Sequence, residues 1–106
     1  RQLILLLIFL TTPPQHTIHA TWYSCQTFCG QTTANGTTYT KDLKGIASNA
    51  LPFGTRIKLY YRHWSVIATV LDRHGRSKHD FFDLTEATCQ AIHHCWTGPI
   101  QWSYAP

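Results

Sequence analysis

The sequence has no internal repeat, no Pro- or Gly/Ser-rich linker and no low-complexity tract, which excludes solenoid and multidomain organisation and leaves one domain in 106 residues. It has a single long apolar run, the eight residues of Leu3–Leu10, and eight are too few to cross a bilayer, which takes about 20. Acidic residues are scarce, five against nine lysines and arginines. The net charge of +4 suits an anionic partner such as a cell-wall polymer. No nucleic-acid-binding motif accompanies that charge, so nucleic acid is not expected as a partner.

What is present begins with the N-terminus. A basic Arg1, the short apolar run, the helix-breaking Pro13-Pro14 and the small Ala20 have the layout of a secretory signal peptide over residues 1–20, with a retained N-terminal anchor as the alternative. The expected location is secreted, periplasmic or extracellular, with membrane contact only through that segment. Residues 21–106 are few for a self-sufficient core, so covalent staples are expected. Cys25, Cys29, Cys89 and Cys95 supply them as disulfides, which either tie the first segment to a late helix or close two local loops. A zinc site built from these cysteines with His93 and His94 fits the usual ligand spacings poorly, and neither metal nor cofactor is expected.

The pattern of the remaining chain is that of short strands. Ala20–Ser24 is β-branched and aromatic and reads as a first strand. Residues 25–39 are rich in Thr, Gln, Gly and Asn and read as loop, with Asn35-Gly36 a turn because both residues tolerate positive φ. Ile46-Ala47 is a short strand. In Arg56–Tyr61 the alternation turns Ile57, Leu59 and Tyr61 inward. Val66–Leu71 reads as a more fully buried strand, joined to the previous one through Arg62–Ser65 as a hairpin. Phe81-Phe82 opens another strand. Asp83 is placed as the cap of a helix over Thr85–Ile92, with Glu86 completing a capping box. Gly98-Pro99 breaks the chain before a closing strand, Ile100–Tyr104. Six short strands and one or two short helices argue an all-β protein, a small closed barrel.

Asp72 and Asp83 both fall at strand ends, and paired acids beside a groove suit work on a sugar polymer. Asp72 is the candidate acid/base, protonating a glycosidic oxygen and then taking a proton from a sugar hydroxyl, and Asp83 tunes it. The simpler roles are a helix cap for Asp83 and, for Asp72, a partner for Arg73 or Arg56. His74 and His79 flank the segment between the two acids and are candidates for a general acid or base. His93-His94 is placed at the surface. Trp22, Tyr23, Tyr39, Tyr60, Trp64 and Trp102 offer ring faces on which a pyranose can stack.

Ala20-Thr21-Trp22-Tyr23, Thr33-Ala34-Asn35-Gly36, Leu51-Pro52-Phe53-Gly54-Thr55, Val70-Leu71-Asp72-Arg73 and Asp83-Leu84-Thr85, in this order, resemble the rare lipoprotein A (RlpA-like) domain family. The resemblance spans residues 21–106, and Phe82-Asp83 is similar to a motif of expansins and barrel-type endoglucanases. It implies a six-stranded double-psi β-barrel with a shallow polysaccharide groove. It also implies action on bacterial peptidoglycan glycan strands, in some members by lytic transglycosylation, by a chain expected to be monomeric. Catalytic members carry Glu just after the Asn-Gly turn, where this chain has Thr37 or Thr38, and His at the position of Ser48. The family Asp is kept as Asp72, with His74 interrupting Asp-Arg-Gly. By the resemblance, the substrate-binding residues are Tyr23, Asn35, Thr37, Tyr39, Ser48 and Arg73. The loss of Glu and His leaves a non-catalytic glycan-binding or wall-loosening module as the alternative, and a secreted protein-binding effector as a further one.

Overall fold

A computed structural model describes residues 15–75 and 81–106. They form six strands, β1 (His16–Tyr23), β2 (Gly45–Ala47), β3 (Arg56–Tyr61), β4 (Trp64–Asp72), β5 (Phe81–Thr85) and β6 (Gly98–Tyr104), with two short helices, α1 (Cys25–Phe28) and α2 (Glu86–Ala91). The strands close into a barrel in the order β1-β5-β2-β4-β3-β6. The β1–β5 and β2–β4 pairs are parallel and the other pairs antiparallel.

Alternation decides which side chains fill the barrel. On β3, Ile57 and Leu59 are fully buried, Arg56 is exposed and Tyr61 is half-buried against the core. Ala20, Ile46, Val70, Phe82, Leu84 and Ile100 complete the interior from the other five strands. Each such Ile, Leu or Phe contributes about 1.5–3 kcal/mol by leaving water. The greater burial expected at Val66–Leu71 is found in its second half. Ala68, Val70 and Leu71 are buried, but Val66 and Thr69 are half-buried and Ile67 is 36% exposed, because one face of β4 looks out of the barrel.

Several boundaries differ from the sequence reading for identifiable reasons. β1 starts at His16, since His16–Ala20 pairs antiparallel with β6. The expected end of the leader at Ala20 therefore falls inside a strand, while the leader's apolar run lies outside the described residues. The β3–β4 turn contracts to Arg62-His63, because Tyr61 pairs directly with Trp64 and Arg62 takes a φ of 55°. Pro99 sits inside β6 opposite His19, near the strand's start where its missing N–H is tolerated. Cys25–Phe28 coils into one helical turn, capped where the Ser24 side chain accepts from the Thr27 amide. Both disulfides close local loops, Cys25–Cys29 and Cys89–Cys95.

Asp83 is not a helix cap. It lies in mid-β5, paired with Thr21 of β1 and Ala47 of β2, and Thr85 occupies the N-cap of α2. The Thr85 hydroxyl is itself engaged elsewhere, donating to the Leu43 carbonyl (2.5 Å) and accepting from the Gly45 amide (3.2 Å). Glu86 makes no capping box. Its Oε1 accepts from the Cys25 amide (3.0 Å), which stitches the start of α1 to the start of α2. His94 is 1% exposed rather than at the surface, its ring packed against Tyr61 and Trp96. Among the described residues, no helix is long and apolar enough to cross a membrane.

Candidate functional site

Strand register places four side chains in one row across four strands. Thr21 of β1 pairs with Asp83 of β5, Asp83 with Ala47 of β2, and Ala47 with Asp72 of β4. The two acids thus flank a single alanine, with their Cα atoms about 10 Å apart by strand spacing. All four residues line a cavity of about 720 Å³. The short Ala47 side chain leaves the floor between the acids open.

Asp72 is firmly held. Its Oδ1 accepts from the backbone amides of Ala34 and Arg73 (both 2.9 Å), and its Oδ2 accepts from the Tyr23 hydroxyl (3.1 Å). The Asn35 amide donates to the Leu71 carbonyl (3.1 Å), so the Thr33–Gly36 turn is docked onto the end of β4. Gly36 closes that turn at a φ of 94°. Burial and the adjoining Asp72 charge hold the Tyr23 phenol above its ordinary range, so Tyr23 stays a hydrogen-bond donor. Asp83 Oδ1 accepts from the Thr21 hydroxyl at 2.8 Å.

Arg73 lines the cavity, but its guanidinium does not clamp the Asp72 carboxylate. It donates to the Ser48 carbonyl (2.9 Å) and lies 3.8 Å over the Phe53 ring. The Pro-Phe-Gly corner therefore serves to hold the arginine. His74 stacks on Phe81 at 3.8 Å, and its Nδ1 lies 3.1 Å from the Asn49 side chain. His79 falls outside the described residues.

Of the sequence-derived candidates, Asp72, Asp83, Tyr23, Arg73, Trp22 and His74 meet in this cavity, and Asn35, Thr37, Tyr39, Ser48, Tyr60, Trp64 and Trp102 do not line it. Asn35 and Thr37 shape the turn: Asn35 Oδ1 accepts from the Thr33 hydroxyl (2.9 Å) and the Thr37 amide (3.1 Å). Ser48 is 1% exposed, and its hydroxyl accepts from the amides of Ala50 and Leu51. Tyr39 is 2% exposed and stands behind the site, its hydroxyl donating to the Tyr23 carbonyl and accepting from the Glu86 amide (2.9 Å).

The sequence reading also missed part of the wall. Phe28, Gln31 and Thr32 come from the segment read as loop, and His19 from the segment assigned to the leader. Their signal was the β-pairing of His16–Ala20 and the one-turn helix at Cys25, neither of which local composition reveals. Trp22 and Phe28 stand 36% and 37% exposed at the cavity, supplying flat apolar surface beside the carboxylates. Among the described residues, no cluster of three His, Cys, Asp or Glu side chains could hold a metal ion. The arrangement offers rigid acceptors, polar side chains and exposed rings in an open groove.

No protein-family profile matches the sequence, and no curated protein is significantly similar to it. Solved structures are similar in fold. A Streptomyces papain inhibitor superposes with a TM-score of 0.69 at 16% identity, covering 88% of this chain and 96% of the inhibitor. A mutant Clavibacter michiganensis expansin in complex with cellohexaose superposes with a TM-score of 0.68 at 16% identity, covering 88% of this chain and 51% of the expansin. The apo form of that expansin gives 0.67 at 20% identity over the same shares. This chain therefore spans about half the expansin's length. The fold is a small all-β, six-stranded double-psi barrel of the expansin-like kind.

Proposed function

We propose that this chain is a secreted glycan-binding barrel, of the wall-loosening kind, that holds an extended β-1,4-linked polysaccharide strand in the Asp72–Asp83 groove without cutting it. The observation that carries this reading is the pairing of exposed Trp22 and Phe28 with a fixed row of acceptors in one open cavity. Rings stack on pyranose faces, and carboxylates accept from sugar hydroxyls. The likeness to an expansin solved with cellohexaose supports the same ligand class. Peptidoglycan glycan strands, also β-1,4-linked, are the natural target if the wall is bacterial. Both disulfides suit an oxidising, extracytoplasmic compartment.

Lytic transglycosylation through Asp72 is less well supported. To donate a proton, Asp72 would have to carry it on an oxygen that already faces an N–H or O–H donor. Ser48, at the family's His position, is sealed in a turn. Thr37, after the Asn-Gly turn, cannot ionise in the acid–base range and does not line the cavity. A second reading, a protein-binding inhibitor, is favoured by the match over 96% of a stand-alone inhibitor chain.

Co-sedimentation with insoluble cellulose and with purified peptidoglycan, followed by mass spectrometry of the supernatant, tests the proposal. Binding that Trp22→Ala weakens, with no released fragments, is the expected result. Anhydro-ended fragments would establish the transglycosylase reading instead. Absence of glycan binding together with inhibition of a papain-type protease would establish the second reading.

A further inference from the structure

A second concavity, of about 280 Å³, lies on the outer face of the barrel where β1, β6 and β3 adjoin. Its floor is one register row: Thr17 of β1 pairs with Gln101 of β6, and Gln101 with Tyr60 of β3. The row is about 20 Å along β1 from Tyr23, and about 7 Å from His19 at the near edge of the first groove. Tyr61 and Arg62 close one side. Arg62 is exposed at the hairpin tip, its guanidinium 5.4 Å over the Tyr61 ring, and Lys58 sits 5.4 Å over the Tyr60 ring. Arg62 and the two tyrosines thus line the hollow, and Lys58 stands beside Tyr60 without lining it.

The acids are elsewhere. Among the described residues the carboxylates are Asp42, Asp72, Asp83 and Glu86, and none lines this hollow. Asp72 and Asp83 belong to the first groove, and Glu86 is bonded at the start of α1.

We propose that this hollow is a second binding site, for one acidic sugar unit of a uronate-containing polysaccharide. The Arg62 guanidinium meets the uronate carboxylate, with Lys58 adding charge from the flank. The exposed part of Tyr60 covers a pyranose face, and the Gln101 amide and Thr17 hydroxyl bond ring hydroxyls. The volume lies at the small end of ligand sites, about 300 Å³ and up, which fits a single sugar and not a long chain segment. With the first groove on a neutral strand, one barrel could touch two different wall polymers. The acidic-sugar site does not depend on what occupies the first groove.

Titration of the 15N-labelled chain with an oligogalacturonate, and separately with cellohexaose, tests this. The oligouronate is expected to shift the amides of Tyr60, Arg62 and Gln101, to lose affinity as salt rises, and to bind roughly tenfold more weakly to Arg62→Asn. Asn is chosen because it tolerates the positive φ at position 62. Trp22→Ala is expected to leave oligouronate binding unchanged. The proposal is overturned by the absence of oligouronate binding, by shifts confined to the first groove, or by an Arg62→Asn variant that binds as well as the parent. A sulfated or phosphorylated polymer that binds equally and is equally weakened by Arg62→Asn would overturn the choice of uronate. Failure with cellohexaose alone bears on the first groove and leaves this site standing.

Discussion

Tyr39→Phe should destabilise the barrel and loosen the groove although Tyr39 does not line the groove. The ring is 2% exposed, and Phe keeps its volume, so the change isolates the hydroxyl. That hydroxyl donates to the Tyr23 carbonyl and accepts from the Glu86 amide, joining the end of β1 to the start of α2. Its removal strips a partner from two backbone groups in a part-buried setting. At about 1 kcal/mol per lost bond and about 1–3 kcal/mol for an amide left unsatisfied, the cost is about 2–4 kcal/mol. For a domain of this size that corresponds to a fall in Tm of about 10–25 °C. The Tyr23 ring lies edge-on to Tyr39 at 5.0 Å, and its hydroxyl donates to Asp72, so the loss should also spread to the groove. Thermal unfolding followed by circular dichroism, with glycan affinity measured well below Tm, is the assay. A fall in Tm under about 3 °C with unchanged affinity would refute this view of how the groove is braced.

Burial holds the His94 imidazole below its ordinary value of 6.5. As pH falls through about 6.5 the unfolded chain takes up a proton that the folded chain resists, so stability should decline below that point. Urea midpoints should fall less between about pH 7.5 and pH 5 in His94→Phe than in the parent, and an equal fall would contradict the assignment. The paired change Cys89→Ser with Cys95→Ser opens the loop that holds His94, whose ring packs on Trp96 just beyond it. It should cost about 2 kcal/mol in urea unfolding, and no loss would show that the loop is held by its rings alone. Ser48→Ala removes the acceptor for the amides of Ala50 and Leu51 and should lower stability by about 1 kcal/mol without changing glycan affinity, whereas a selective loss of affinity would return Ser48 to the binding site.

The strand content was legible in the sequence wherever alternation was clean. Ile57 and Leu59 face inward as their period demands, and α2 lies within one residue of its expected bounds at each end. Elements that depend on distant partners were not legible. Asp83 carries the local signature of a helix cap, yet pairing with both Thr21 and Ala47 keeps it extended. His16–Ala20 reads locally as the tail of a leader, and only β6, some eighty residues on, makes it a strand. The site divided in the same way. Asp72, Tyr23 and Arg73 come from motifs at strand ends and Asp83 from the middle of β5, while Phe28, Gln31 and Thr32 reach the groove through a helical turn that composition does not signal. Tyr39 and Ser48 are motif residues too, but their motifs brace the groove from behind.

Amide shifts of the 15N-labelled chain during a cellohexaose titration, with the oligosaccharide's own proton spectrum recorded in the same tube, test most directly whether a glycan lies in the Asp72–Asp83 groove uncut. Shifts gathered at Trp22, Thr32, Ala47 and Asp83, lost in Trp22→Ala, with the hexasaccharide intact throughout, are the predicted result. Unshifted groove amides, or the appearance of shorter sugars, would contradict it.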